Sequence, residues 1–284
     1  MKTSLPPKVL RYMSSPVIAA SPTDNLAHIR NLMLRHDIST VVIIDERKRP
    51  VGVVSRKELL RVAVAKNWFS RPIDRILASE VMAKPYTIKP SVSIKKAANI
   101  MLKKDLWSLI VTEEDKLVGI ITRTDLARAY AEKYYGKAKV KEYMEVNVPT
   151  VTPTHTAYYV AELLYRTNLR RVIVVDEGKP VGIITESDLA FAEGLISRGK
   201  AETFRKRPGK SPRGKYAMVR YYLVPLASDI MTSNLITIES ESDLAEAADA
   251  MIVNGISGLP VVDNGKLLGL VSKANILKAI TEVS

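Results

Sequence analysis

VGIITESDLA at residues 181–190 and VGIITRTDLA at 118–127 share eight of their ten letters. Looser copies, VGVVSRKELL at 51–60 and LGLVSKANIL at 268–277, complete a set of four. Each phrase opens on β-branched and aliphatic residues, reaches a Ser or Thr, and then takes up the composition of a helix start. It reads as a strand that turns directly into a helix. A chain that writes this four times is built from repeats.

The surroundings repeat as well. A Met precedes the first strand of each unit, and the pairs Met13–Gly52, Met82–Gly119, Met144–Gly182 and Met231–Gly269 are separated by 39, 37, 38 and 38 residues. Short extended pieces (Pro16–Ala19, Pro85–Ile88, Pro149–Thr152, Leu235–Ile238) lead to the polar clusters SPTDN, PSVS, PTHT and SESD. Hydroxyls and carboxylates in such clusters accept from the free amides of a helix start. A helix of about three turns follows, with apolar residues three to four apart: Ile29 and Met33, Ala97 and Met101, Val160 and Leu164, Ala247 and Met251. Then come a β-branched strand (TVVIID, SLIVT, RVIVVD, LPVVD), a tight polar turn whose clearest form is the Asn-Gly of DNGK, the repeated phrase, and a second helix. The order β-α-β-β-α, four times, predicts an α/β (α+β) chain. One unit has too few elements to cover both faces of its sheet, so four units imply two pairs.

Composition fits a soluble globular protein: 46% of the 284 residues are apolar and 26% are charged. The apolar runs are too short to span a bilayer, and MKTSLPPKVLRYM has no apolar signal region, so a cytoplasmic location with no membrane partner is expected. The absence of cysteine excludes disulfides, thiolate nucleophiles and thiolate metal sites. The absence of glutamine, with abundant Lys, Arg and Glu, points to a thermophile. The net charge of +13 is concentrated in one place, since residues 198–220 carry nine Lys or Arg against Glu202 alone.

The pattern resembles the CBS domain, named for cystathionine beta-synthase, which occurs in tandem pairs called Bateman modules. The resemblance runs from about Lys8 to Glu282 except for the basic stretch. In arrangement the chain is similar to the gamma subunit of AMP-activated protein kinase and to stand-alone archaeal CBS proteins. The units read as 8–70, 71–135, 136–196 and 226–284, with a basic insert at 197–225. The resemblance implies two Bateman modules, a regulatory rather than catalytic role, a homodimer, a regulated partner protein, and an adenine nucleotide (AMP, ADP or ATP) bound between paired repeats. Mg²⁺ accompanying ATP is the one metal expected.

The phrase also carries chemistry of its own. A hydroxyl among the free amides of a helix start suits phosphate, and a carboxylate three residues on can accept from the two hydroxyls of a ribose. In this family the Ser/Thr typically meets phosphate and the Asp meets the diol. Thr122, Thr124 and Asp125 match in full, as do Thr185, Ser187 and Asp188, with Ile121 and Ile184 offered as apolar surface for a base. Ser55 with Glu58, and Ser272 with Asn275, depart from the pattern. The same residues also spell an ordinary capping box.

Arg170 and Arg171, just before the middle strand of repeat 3, stand where the kinase gamma subunits often carry phosphate-binding cations. The alternative is one solvated arginine and one paired with Asp176 or Glu177. Trp107 reads as base stacking, core packing or a dimer contact. His28, His36 and His155 form no metal constellation, and no arrangement argues for catalysis. Two rival readings remain: S-adenosylmethionine as ligand, and nucleic acid bound through 198–220 with Tyr216, Tyr221 and Tyr222 to stack.

Overall fold

The computed structural model describes residues 7–64, 72–167, 170–185, 188–189, 202–203, 220–221 and 225–282. Four three-stranded sheets follow one plan. In repeat 2, Thr87–Ile88 lies parallel to Ser108–Glu113, which pairs antiparallel with Lys116–Thr122. Repeat 1 uses Ala19–Ala20, Thr40–Ile44 and Pro50–Ser55 in the same way, and repeat 3 uses Thr150–Val151, Arg171–Asp176 and Lys179–Thr185. The sheet of repeat 4 is Ile238–Glu239, Gly258–Asp263 and Lys266–Ser272. The sequence order β-α-β-β-α is therefore the observed one in repeats 1, 2 and 4, and β-α-β-β in repeat 3, where the second helix falls largely outside the described residues.

Each first helix starts where the polar clusters predict. The last residue of each cluster caps it: Asn25 accepts from the His28 N–H at 2.9 Å, Ser93 from Lys96 at 3.2 Å, Thr156 from Tyr159 at 3.2 Å and Asp243 from Ala245 at 2.7 Å. The hairpins of repeats 2, 3 and 4 turn on two consecutive residues of positive φ: Glu114 and Asp115, Glu177 and Gly178, Asn264 and Gly265. That is the geometry the strand twist favours, and only repeats 3 and 4 use glycine for it.

The leading segments are exchanged between partners. Ser14, which follows Met13, trades backbone hydrogen bonds with Ile120 of repeat 2, and Ala83, which follows Met82, trades them with Val53 of repeat 1. Thr232 does the same with Ile183 of repeat 3, and Glu145 with Leu270 of repeat 4. Met13, Met82 and Met231 thus reach Gly119, Gly52 and Gly182, the repeated glycines of their pair partners. A Cβ built on Gly119 would stand 2.6 Å from Met13 Sδ, and one on Gly182 would stand 2.8 Å from Met231 Cγ. Repeats 1 and 2 form one pair and repeats 3 and 4 the other.

The chain divides into two compact units, 1–145 with 238–261 and 270–284, and 146–237 with 262–269. In the first, both helices of repeat 2 (Ile94–Lys103, Arg123–Lys133) pack on those of repeat 4 (Leu244–Val253, Lys273–Glu282). Ala97, Ala98, Ala127, Ala247, Ala248 and Ala279 are fully buried there and let the helices approach closely. Met101, Leu126, Met251 and Ile276 fill the rest, each stabilising by about 1.5–3 kcal/mol. Repeat 1 keeps its own core around Leu26, Ile29, Ile43 and Val54. The second unit is centred on Val160, Val172, Val174 and Ile184, with Ala227 and Met231 from the exchanged segment. Within it, Glu202–Thr203 pairs antiparallel with Arg220–Tyr221, and the rest of the basic stretch lies outside the described residues. Among the described residues no helix is long and apolar enough to cross a membrane.

Candidate functional site

The repeated phrase ends its strand at Thr122 in repeat 2 and at Thr185 in repeat 3, and at Ser55 and Ser272 in the other two. In all four, one side-chain oxygen three residues on accepts twice from that Ser or Thr. Asp125 Oδ2 takes the Thr122 N–H at 2.8 Å and its hydroxyl at 2.7 Å. Asp188 Oδ2 takes both groups of Thr185 at 2.7 Å. Asn275 Oδ1 takes those of Ser272 at 2.7 and 2.6 Å, and Glu58 Oε2 takes those of Ser55. The extra methylene of Glu58 does not displace its carboxylate from the cap. The phrase is therefore a helix cap everywhere, and a ligand role has to use what the cap leaves over.

What is left over differs between repeats. The second oxygen of Asp125, Oδ1, accepts from Arg128 Nη1 at 3.2 Å, and Asp125 itself is only 4% exposed. Thr124 Oγ1 accepts from Nζ of Lys273, a buried lysine of repeat 4, at 2.9 Å. Arg123 lies over Trp107 at 4.6 Å and donates to the Leu106 carbonyl and to Asp105, so Trp107 is half of a cation–π clasp that pins the helix start.

In repeat 3 the β-ladder places Arg171 directly opposite Thr185. Residues opposite each other in an antiparallel pair hold their side chains on one face. The same register sets Ser108 opposite Thr122 and Thr40 opposite Ser55, so among these three repeats only repeat 3 faces its motif hydroxyl with a cation. In the same register Asp176 stands opposite Lys179, roughly 17 Å along the strand from Arg171. Arg170 is half-buried beside it, and Ser187 lies outside the described residues.

Two expected site residues are corrected. Ile121 and Ile184 are fully buried in the cores of repeats 2 and 3 and offer no surface to a base. The strand period of two puts Ile120 and Ile183 on the same face as Thr122 and Thr185, and both are half-buried. Alternation counted back from the Thr would have found them. His155 Nδ1 receives the Thr152 N–H at 2.9 Å and its ring stacks on Tyr159, so it closes a turn. No group of three or more metal-binding side chains occurs among the described residues. A groove of about 650 Å³ lies between the second helix of repeat 2 and the first of repeat 4, lined by Arg128, Glu132, Tyr135, Glu246, Asp249 and Val253. Of the motif's neighbours, Arg128 alone reaches it.

A profile of the CBS domain matches residues 9–65, 78–132, 140–194 and 227–282. The Methanocaldococcus jannaschii protein MJ1225 is 29% identical over 80% of this chain and 78% of its own length. Its crystal structure, for which homology to the gamma subunit of AMP-activated protein kinase has been proposed, superposes with a TM-score of 0.72 at 22% identity, covering 96% of this chain and 99% of that one. MJ1404 from the same organism is 27% identical across the whole of this chain, which spans 64% of its length. A conserved Pyrococcus horikoshii protein superposes with a TM-score of 0.65 at 21% identity, over 96% of this chain and the whole of that one.

Proposed function

The chain belongs to the CBS domain family, and on that premise we propose that it is a non-catalytic regulatory protein that senses an adenine nucleotide, AMP, ADP or ATP. The observation that carries the reading is the cross-strand pair of Arg171 and Thr185, with Asp188 three residues further on. A guanidinium matches phosphate oxygens two at a time, which suits Arg171, with Arg170 beside it, to the phosphate end of such a ligand. Phosphate binding would redirect the Thr185 O–H from Asp188 to the ligand, while the Thr185 N–H stays on Asp188 and preserves the cap. The remaining Asp188 oxygen then accepts from the ribose diol. Ile183 supplies the half-buried apolar surface beside it. ATP would bring its own Mg²⁺.

Regulation follows from difference, not from tightness. A nucleotide shifts the protein only by its preference for one arrangement of the paired repeats over another. A partner protein or a second copy of the chain reads the result.

Thermal unfolding with AMP, ADP, ATP, S-adenosylmethionine and a short single-stranded RNA tests the reading. A ligand at 100 times its dissociation constant adds about 2.7 kcal/mol. Stabilisation by a nucleotide that Arg171→Ala and Asp188→Asn both cut sharply, leaving only weak binding at repeat 2, is the expected result. Stabilisation by S-adenosylmethionine that Arg171→Ala leaves intact would replace the nucleotide with a ligand lacking phosphates. A response to RNA alone, falling steeply with salt, would move the function to residues 198–220.

A further inference from the structure

We propose that Arg128 decides which repeat binds, by holding the repeat 2 carboxylate in an internal ion pair; the inference rests on the functional reading above. Repeats 2 and 3 carry the best motifs, eight of ten letters alike and capped identically, and in repeat 2 the second carboxylate oxygen is already engaged. Oδ2 of Asp125 is committed to the cap and cannot leave it without opening the helix start. A sugar diol must therefore compete for Oδ1, and that oxygen already accepts from Arg128.

The sequence generalises the observation. The residue three after the capping side chain is Arg61 in repeat 1, Arg128 in repeat 2, Lys278 in repeat 4 and Phe191 in repeat 3. Positions three apart on a helix are neighbours, and in repeat 2 that spacing brings Arg128 to Asp125; at the same spacing the repeat 3 sequence offers a phenylalanine, which has no proton to donate. No Lys or Arg lies within four residues of Asp188 on either side.

The two motifs are thus polarised in opposite senses. Repeat 3 has its cation at the hydroxyl, in Arg171, and leaves its acid without a cation nearby in the chain. Repeat 2 has a serine, Ser108, opposite its hydroxyl and the cation on its acid. A ligand with an anionic end and a diol end finds a cation and an acceptor in repeat 3, whereas in repeat 2 its diol end has to displace Arg128. Repeat 3 is the strong site, and repeat 2 is held weak by Arg128, whose other side lines the groove against repeat 4.

Calorimetric titration of the full chain with AMP and, separately, ATP tests this in an Asp188→Asn background, which removes the repeat 3 acid but keeps an oxygen for its cap. Adding Arg128→Met, which retains the stem of an exposed side chain, is expected to tighten the remaining binding about two- to fivefold, the span set by half-exposed ion pairs. Arg128→Lys, which keeps a cation, should not, and adding Asp125→Asn should cancel the gain. Unchanged or weaker binding in the Arg128→Met protein overturns the proposal while leaving the nucleotide reading standing. Wild-type protein that takes up neither nucleotide overturns both.

Discussion

Replacing Gly182 by alanine tests whether the leading segments are exchanged between repeats. A Cβ at this buried position would lie 2.8 Å from Met231 Cγ and 2.9 Å from Met231 Cβ, with Sδ nearer still. The Cβ of Met231 is fixed to its backbone, so rotating the side chain cannot relieve the clash. The segment itself has to move, and with it the hydrogen bonds between Thr232 and Ile183. Gly119 differs in degree. Its nearest atoms are Met13 Sδ at 2.6 Å, Cγ at 3.2 Å and Cε at 3.3 Å, all beyond the fixed Cβ. Overpacking costs typically 1–3 kcal/mol, so Gly182→Ala is expected near 3 and Gly119→Ala near 1 kcal/mol.

The assay is urea unfolding followed by circular dichroism, arranged as a double-mutant cycle. Met231→Ala makes room, so the double variant should be more stable than the sum of the singles predicts, with a coupling of about 1–3 kcal/mol. Met144→Ala is the control, because Met144 is the methionine 38 residues before Gly182 in the repeated spacing. Rescue of Gly182→Ala by Met144→Ala, or additivity within about 0.5 kcal/mol for Met231→Ala, would refute the exchange.

Three further outcomes are expected. Asp188→Asn should hold stability within about 0.5 kcal/mol, since Asn275 makes the same cap in repeat 4, while Asp188→Ala should cost about 1 kcal/mol in thermal unfolding. Tyr130→Phe should stabilise by about 1 kcal/mol, because the buried Tyr130 hydroxyl has no hydrogen-bond partner among the described residues. Burial also pushes that phenol well above its usual range, so the folded chain keeps a proton the unfolded chain loses. Its contribution is complete below pH ~10 and falls as the pH rises further, and the phenylalanine variant should show a shallower alkaline decline in a pH series of unfolding midpoints. Ile276→Ala, in the contact between repeats 2 and 4, should cost 2–5 kcal/mol by denaturant titration, with a loss under about 1 kcal/mol counting against a shared core.

What could be read from the sequence was whatever local chemistry encodes. The four capping residues, the positive-φ turns and the strand-to-helix phrase each lie within a few residues of what they determine. The exchange of leading segments could not be read, because Met13 and Gly119 are joined by no local period, and the regular spacing invites the wrong partner for each Met. Arg171 stood out by composition, but its relation to Thr185 exists only once the hairpin register is set. Ile121 and Ile184 adjoin the Thr in sequence, but the alternation of faces along a strand sends every second residue into the core. Arg128 is legible in the sequence, at the helical spacing from Asp125 where a partner belongs.

The four caps constrain how any functional claim about this chain is to be argued. Aspartate, glutamate and asparagine all close the helix start with the same two hydrogen bonds, so capping gives no reason to prefer one of them. The discriminating chemistry sits on the atom the cap does not use and on whatever faces it. In repeat 4 that atom is an amide nitrogen, Asn275 Nδ2, directed at Glu145 at 3.4 Å, a donor where a diol needs an acceptor. In repeat 2 it is an oxygen already held by Arg128. Repeat 3 combines an aspartate, an aromatic in place of that cation, and Arg171 across from the hydroxyl. Its exchanged segment also runs on in sequence into repeat 4, so a ligand that moves Thr185 acts on a strand whose Gly182 is packed against Met231. On the proposed reading, occupancy of the repeat 3 site would bear on the segment of chain that leads into repeat 4.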